Sequence, residues 1–309
     1  MAARMKALIA YDGSACADAA LDDLKRAGLP GEIEAMVVTV AELWLPPPSA
    51  AFKPALTAAA EQLPAPVEAA LNMAIAASRR LQTMFPAWDV RAEALVGSPA
   101  SAILNKADEW KPDLIVVGSH GRSALGRFIM GSVSQKIVTE AHCSARVARG
   151  REIDAGAPAR ILLGFDGSID ASAAVRAIAS REWPEKSAIR VIAVLPPTIS
   201  DSPLLPWTPE QIAQREASAR DWMQKQVEAA AEELRSTDLA VTPVITAGDP
   251  KQALLDEADG WGADCLFIGA RGHNRLVRFM LGSVATAVVA RAHCSVEVVR
   301  LEKVCDGKQ

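Results

Sequence analysis

With 309 residues, 50% of them hydrophobic and 23% charged, the chain is large enough for two globular domains with a core each. A formal net charge of -4 offers no basic excess for nucleic acid, and no apolar run nears the ~18 residues that span a bilayer. The five cysteines are scattered and odd in number, so they outline no disulfide framework.

Arg4 and Lys6 are followed only by Ala7 to Ala10 before Tyr11-Asp12, too short a stretch for a secretory core, so the expected location is the cytoplasm. Ala7–Tyr11 reads as a first buried strand running directly into Asp12-Gly13-Ser14. A helical stretch over Ala17–Ala27 and a second strand over Ala35–Val40 come next. Residues 45–66 hold six prolines, which suit neither a ladder nor a helix interior; they form a surface excursion or a lid over a ligand. Glu68–Met84 has helical spacing, and Leu114–Val117 is another buried strand. It ends in Gly118-Ser119-His120-Gly121, nine further residues, then Gly131-Ser132. Val133, Ile137, Val138 and Ala141 continue at helical spacing. Gly150–Pro158 reads as a linker.

The pattern then repeats. Ile161–Phe165, Ile189–Val194 and Cys265–Ile268 are the second set of apolar strands, and residues 196–209 hold five prolines. Asp166-Gly167-Ser168 repeats the first turn, and Gly269-Ala-Arg-Gly272 followed by Gly282-Ser283 repeats the glycine spacing. Ala141-His-Cys-Ser144 returns as Ala292-His-Cys-Ser295. Two copies of this length mean domain duplication, since a solenoid repeats every ~20–50 residues. Fully apolar strands alternating with helices predict a parallel sheet covered on both faces, with ligands beyond the carboxyl ends of its strands.

The chemistry sits in the glycine loop. Gly118 and Gly121 permit a tight turn with no Cβ in the way, and Gly131-Ser132 opens a helix whose free N–H groups suit a phosphate. No Gly-Lys-Ser/Thr closes the loop, and Gly-x-Gly-x-x-Gly is absent, so neither familiar nucleotide fingerprint applies.

Asp-Gly-Ser after the first strand, Gly-x2-Gly-x9-Gly-Ser after the fourth and a closing strand centred on valine resemble the universal stress proteins. The resemblance covers nearly the whole chain, twice. It implies two tandem Rossmann-like α/β domains of the adenine nucleotide alpha hydrolase-like type, residues 1–150 and 158–303. Each would be a five-stranded parallel sheet of order 3-2-1-4-5 with helices on both faces. It also implies ATP, with Mg2+ as its companion, bound at the strand edge in the subfamily that keeps the glycine motif. By position, Asp12 and Asp166 would lie by the ribose and adenine, with Gly13 and Gly167 in the same turns. Val40 and Val194 would meet the adenine through their backbone. Gly118, Ser119, His120, Gly121, Arg122, Gly131, Ser132 and Val133 would hold ribose and phosphates. Gly269, Arg271, Gly272, Gly282, Ser283 and Val284 would do so in the second copy. The closing strands would pair about a pseudo-twofold axis into an intramolecular pseudo-dimer, with a further homodimer as an open option.

Some positions depart from the family pattern. Gly126 is matched by Val277 and Arg122 by His273, the second loop gains Arg271 and Arg275, and Ser144 and Ser295 replace a usual proline. Other readings stand beside the ligand ones. Asp12 and Asp166 also suit helix caps. His142-Cys143 and His293-Cys294 point to opposite sides of a strand and make poor metal pairs. Trp110 and Trp261 suit packing, and Arg122, Arg127, Arg275 and Arg278 suit either solvent or phosphate. The expected function is a nucleotide-dependent sensor or regulator of stress response with little or no catalysis. The alternative is a slow ATPase or adenylylating enzyme of the same superfamily, although no His-x-Gly-His or Ser-Gly-Gly follows the first strand.

Overall fold

The computed structural model describes residues 4–42, 64–121, 130–150, 156–195, 208–272 and 281–301. The first half runs β1 (Met5–Ala10), α1 (Ala15–Asp23), β2 (Ile33–Ala41), α2 (Ala65–Met84), β3 (Asp89–Val96), α3 (Pro99–Trp110), β4 (Leu114–Gly118), α4 (Ser132–Glu140) and β5 (Ser144–Ala148). The second repeats it as β6 (Arg160–Gly164), α5 (Ile169–Ala179), β7 (Ala188–Leu195), α6 (Pro209–Arg235), β8 (Ala240–Ala247), α7 (Pro250–Trp261), β9 (Cys265–Gly269), α8 (Ser283–Arg291) and β10 (Ser295–Val299).

The apolar runs of the sequence become β1, β2, β4, β6, β7 and β9. The outer strands β3 and β8 lack such runs, because at the edges of the sheet every one of their residues stays exposed or half-buried. Pro243 is tolerated inside β8 because an edge strand can spare a ladder donor. Most of the two proline-rich segments, and residues 151–155 of the expected linker, lie outside the described residues. Their last members do appear: Pro66 and Pro209 sit in the first turns of α2 and α6, where a missing N–H costs nothing.

The ten strands form one sheet in the order β3-β2-β1-β4-β5-β10-β9-β6-β7-β8. Each half therefore has the order 3-2-1-4-5, read inward from its own edge. Within each half all pairings are parallel; between the halves β10 runs antiparallel to β5, with Glu297 opposite Arg146. The strands of the two halves thus point their carboxyl ends to opposite edges of the sheet.

The two faces of this sheet are joined differently. On the face covered by α3, α4, α7 and α8 one apolar core runs across both halves, from Leu8 and Ile115 through Val147 and Val296 to Leu266. On the other face each half keeps its own core, around Leu21 and Leu81 in the first and Phe267 and Val227 in the second. There the junction is polar. Asp23, Arg146, Glu297 and Arg181 form a buried ion chain, and Arg26 reaches Asp264 at 2.6 Å.

The junction also explains the serines that stand in place of proline. The Arg149 N–H donates to Ser295 Oγ at 2.9 Å, and the Arg300 N–H donates to Ser144 Oγ at 3.2 Å. The same two arginines cap helices of the opposite half. Arg149 Nη2 donates to the Val289 carbonyl at the end of α8, and Arg300 Nη2 to the Val138 carbonyl at the end of α4, each at 2.6 Å. A cation there also complements the helix dipole. Replacing Ser144 with Ala leaves the Arg300 N–H without its acceptor. The expected loss is about 1–2 kcal/mol, read from urea denaturation of the whole chain. Ser295→Ala should cost more, because Ser295 Oγ also donates to Asp23 at 2.7 Å.

Candidate functional site

At the carboxyl edge of each half the chain departs in opposite directions from two neighbouring strands, β1 and β4 or β6 and β9, and leaves a crevice between them. Asp12-Gly13-Ser14 leaves β1. The Ser14 N–H donates to Asp12 Oδ1 at 3.0 Å, and Gly13 adopts a φ of 75°, a conformation that favours glycine. Ser14, not Asp12, caps α1: its Oγ accepts from the Ala17 N–H at 3.1 Å. Ser168 does the same for α5, and Asp166 holds the Ser168 N–H at 2.9 Å. The capping role that the sequence also allowed for the aspartates therefore falls to the serines. Both carboxylates stay beside the loops.

The paired glycines are small because protein atoms crowd them. A Cβ on Gly118 would stand 3.0 Å from the Cys16 carbonyl oxygen, and one on Gly269 would stand 2.8 Å from the Ala171 nitrogen. The first glycine of each loop thus lets β4 or β9 press on the first turn of a helix. A Cβ on Gly121 would lie 3.0 Å from Asp12 Oδ2, and on Gly272 2.7 Å from Asp166 Oδ2. The third glycine closes the loop. The Gly131 N–H donates to the Ser119 carbonyl at 2.9 Å, and the Gly282 N–H to the Ala270 carbonyl at 2.8 Å. Between these points, residues 122–129 and 273–280 lie outside the described residues, and with them Arg122, Gly126, Arg127, His273, Arg275, Val277 and Arg278.

Two features leave backbone groups available at this edge. First, Gly131 and Gly282 give α4 and α8 no side-chain cap, in contrast to the serine caps of α1 and α5. The amides of Ser132, Val133, Ser283 and Val284 belong to these uncapped first turns, where an anion is favoured. Second, β2 overhangs β1. Pairing with β1 ends at Val38, but pairing with β3 continues through Val40 to Ala41. The side of Val40 that faces the crevice has no strand partner. Val194 is placed the same way, since β6 pairing ends at Ile192 and β8 pairing continues to Leu195.

The copies differ at the loop's third residue. His120 Nδ1 lies 3.0 Å from Ser119 Oγ, and its Nε2 is buried without a hydrogen-bond partner among the described residues. Burial, and then the charge of Arg149, hold its pKa below the usual histidine value. Arg271 instead donates through Nε to Asp170 Oδ2 at 2.9 Å. Asp170 is 2% exposed in the first turn of α5, where the first copy has Cys16. Sequence reasoning singled out Arg271 but not Asp170; matching the helix starts residue by residue would have set Asp170 against Cys16, without showing its partner. It also missed Ser134, whose hydroxyl donates to the Gly118 carbonyl at 2.6 Å and is replaced by Ala285 in the second copy.

The remaining candidates are structural neighbours of other groups. His142 and His293 are exposed beside Asp108 and Asp259. Burial pushes the Cys143 thiol up to about 12. Trp110 and Trp261 lie under Lys6 and Arg190, at 5.5 and 4.6 Å from the ring centroids. Among the described residues no three His, Cys, Asp or Glu side chains gather as metal ligands, and no helix is long and apolar enough to cross a membrane.

A sequence model of the Universal stress protein family matches residues 4–149 and again 159–300. A universal stress protein of Mycobacterium tuberculosis is 28% identical over 229 residues, which cover 74% of this chain and 72% of that one. A universal stress protein of Thermus aquaticus is 35% identical over 148 residues, 46% of this chain and 96% of its own. Among solved structures, a universal stress protein of Archaeoglobus fulgidus superposes with a TM-score of 0.62 at 18% identity, covering 96% of this chain and 98% of that one. This last likeness speaks for the fold.

The crowding ranks the glycines. Gly118→Ala and Gly269→Ala force backbone against backbone and should cost about 1–3 kcal/mol. A Cβ on Gly131 meets nothing nearer than 3.4 Å. Gly131→Ala should therefore shift the urea midpoint less than either of the others.

Proposed function

This chain belongs to the universal stress protein family, and from that premise we propose that it binds adenine nucleotides at two sites, one at each end of its sheet. The halves, residues 1–150 and 158–303, act as an intramolecular pseudo-dimer. The ligand is ATP, accompanied by Mg2+, and the protein works in the cytoplasm as a nucleotide-dependent sensor or regulator with little or no catalysis. The observation that carries this reading is the pairing, in both copies, of an uncapped helix start with an overhanging strand across one crevice. The first suits phosphate oxygens, and the second offers backbone groups to the edge of a flat base. The orphaned His120 Nε2 supplies one more polar contact at the first site.

Each group then has a role. Val40 and Val194 meet the adenine edge through the backbone. Asp12 and Asp166, on the β1 and β6 side, accept from ribose hydroxyls. The amides of Ser132, Val133, Ser283 and Val284 bind phosphate oxygens, and the Ser132 and Ser283 hydroxyls add a donor each. Gly121 and Gly272 keep the loop close enough to the aspartates for one ribose to touch both.

Mass spectrometry of the material released on denaturing the purified protein should identify adenine nucleotide, and calorimetry should give two ATP per chain. Gly131→Val and Gly282→Val should each reduce this to one. A stoichiometry near two in the double variant would refute the site assignment. Chelating Mg2+ should weaken the binding of ATP more than that of adenosine. Steady conversion of ATP to ADP or transfer of AMP would instead make the protein an enzyme.

A further inference from the structure

The two copies have the same fold, yet their meeting surfaces are not copies of each other. Arg146 and Glu297 occupy the same repeat position and stand opposite one another in the β5–β10 ladder. The axis relating the halves passes between them. Each side chain is 1% exposed, and Arg146 Nη1 lies 3.3 Å from Glu297 Oε2. Each has one further partner from its own half: Asp23, at 2.7 Å from Arg146 Nε, and Arg181, paired with Glu297. The repeat positions matching Asp23 and Arg181 hold Ala177 and Ala27, so neither partner is duplicated. A first half meeting a second copy of itself would bring Arg146 against Arg146. A second half doing so would bring Glu297 against Glu297. Like charges in contact in a buried junction are strongly unfavourable.

A steric mismatch lies on the same axis. Gly28 and Glu182 are also equivalent positions, and they too meet, with the Glu182 N–H donating to the Gly28 carbonyl at 2.9 Å. Gly28 has a φ of 63°, and a Cβ on it would stand 2.8 Å from the Trp183 ring. In a pair of second halves Glu182 would take the place of Gly28, and its side chain would run into that ring.

We propose that the surface around β5 and β10 is a heterologous lock, charged and shaped so that each half accepts the other half and rejects a second copy of itself. Duplication alone would leave two interchangeable surfaces able to pair with any copy. The Arg146–Glu297 pair sets each half against a second copy of itself, and the Gly28–Trp183 contact adds a steric bar to pairing of two second halves. This holds whatever the two crevices bind.

Two measurements test it. In the uncut chain, Glu297→Arg sets Arg against Arg on the axis, and Glu297→Gln removes the charge without reversing it. Amide hydrogen exchange at 145–148 and 295–299 should speed up at least tenfold more in the first variant than in the second. Equal acceleration would overturn the proposal. Separately, a protease site placed within 151–155 allows the folded chain to be cut, unfolded and refolded as a mixture. Native mass spectrometry should then find mixed pairs, with homotypic pairs below about one in a hundred. Homotypic pairs near the level of random assortment would overturn it as well.

Discussion

The antiparallel contact of β5 with β10 is the constraint on which the rest of the architecture depends. Each half is a parallel sheet with an open inner edge, and an open edge presents unpaired backbone groups. Joining the two edges removes both at once and makes one ten-stranded sheet. Because the join is antiparallel, the crevices face opposite ends. The same join stacks α3, α4, α7 and α8 on one face, where a single apolar core crosses the junction. That face holds the halves together by apolar burial, which is non-directional. Selectivity comes from the ionic face, where charge and shape must match position by position.

At the crevices, the structure changes the meaning of the glycines. Read as a motif, they keep space for a ligand. In the fold, Gly118 and Gly269 make room for the backbone of a neighbouring helix turn, and Gly121 and Gly272 for an aspartate carboxylate. Their smallness first brings β4 close to α1 and the loop close to Asp12. Access for a ligand then follows from what these contacts leave uncovered: the start of α4 and the end of β2.

Much of this was legible in the chain. Strands β1, β2 and β4, and their counterparts β6, β7 and β9, announced themselves as apolar runs because they are covered on both faces. The Asp-Gly-Ser turns and the glycine spacing placed both crevices at the correct strand ends. The outer strands β3 and β8 were not legible, since an edge strand with no fully buried residue carries a weaker pattern, and Pro243 argues against a strand when read alone. The ion pair of Arg271 with Asp170 joins residues a hundred positions apart. Nothing near Arg271 in the sequence distinguishes an arginine that holds a buried carboxylate from one that awaits a phosphate.

The amino-acid sequence by itself determined the duplication, the α/β class, the loop positions and the family, because each rests on local periodicity or on spacing along the chain. Tertiary structure alone decided why serine stands at 144 and 295, which glycines are crowded and by what, and how Arg146 meets Glu297. Those answers depend on atoms that meet across the junction of the halves or between distant loops. Their energies come from desolvation and contact distance, which no one-dimensional pattern encodes.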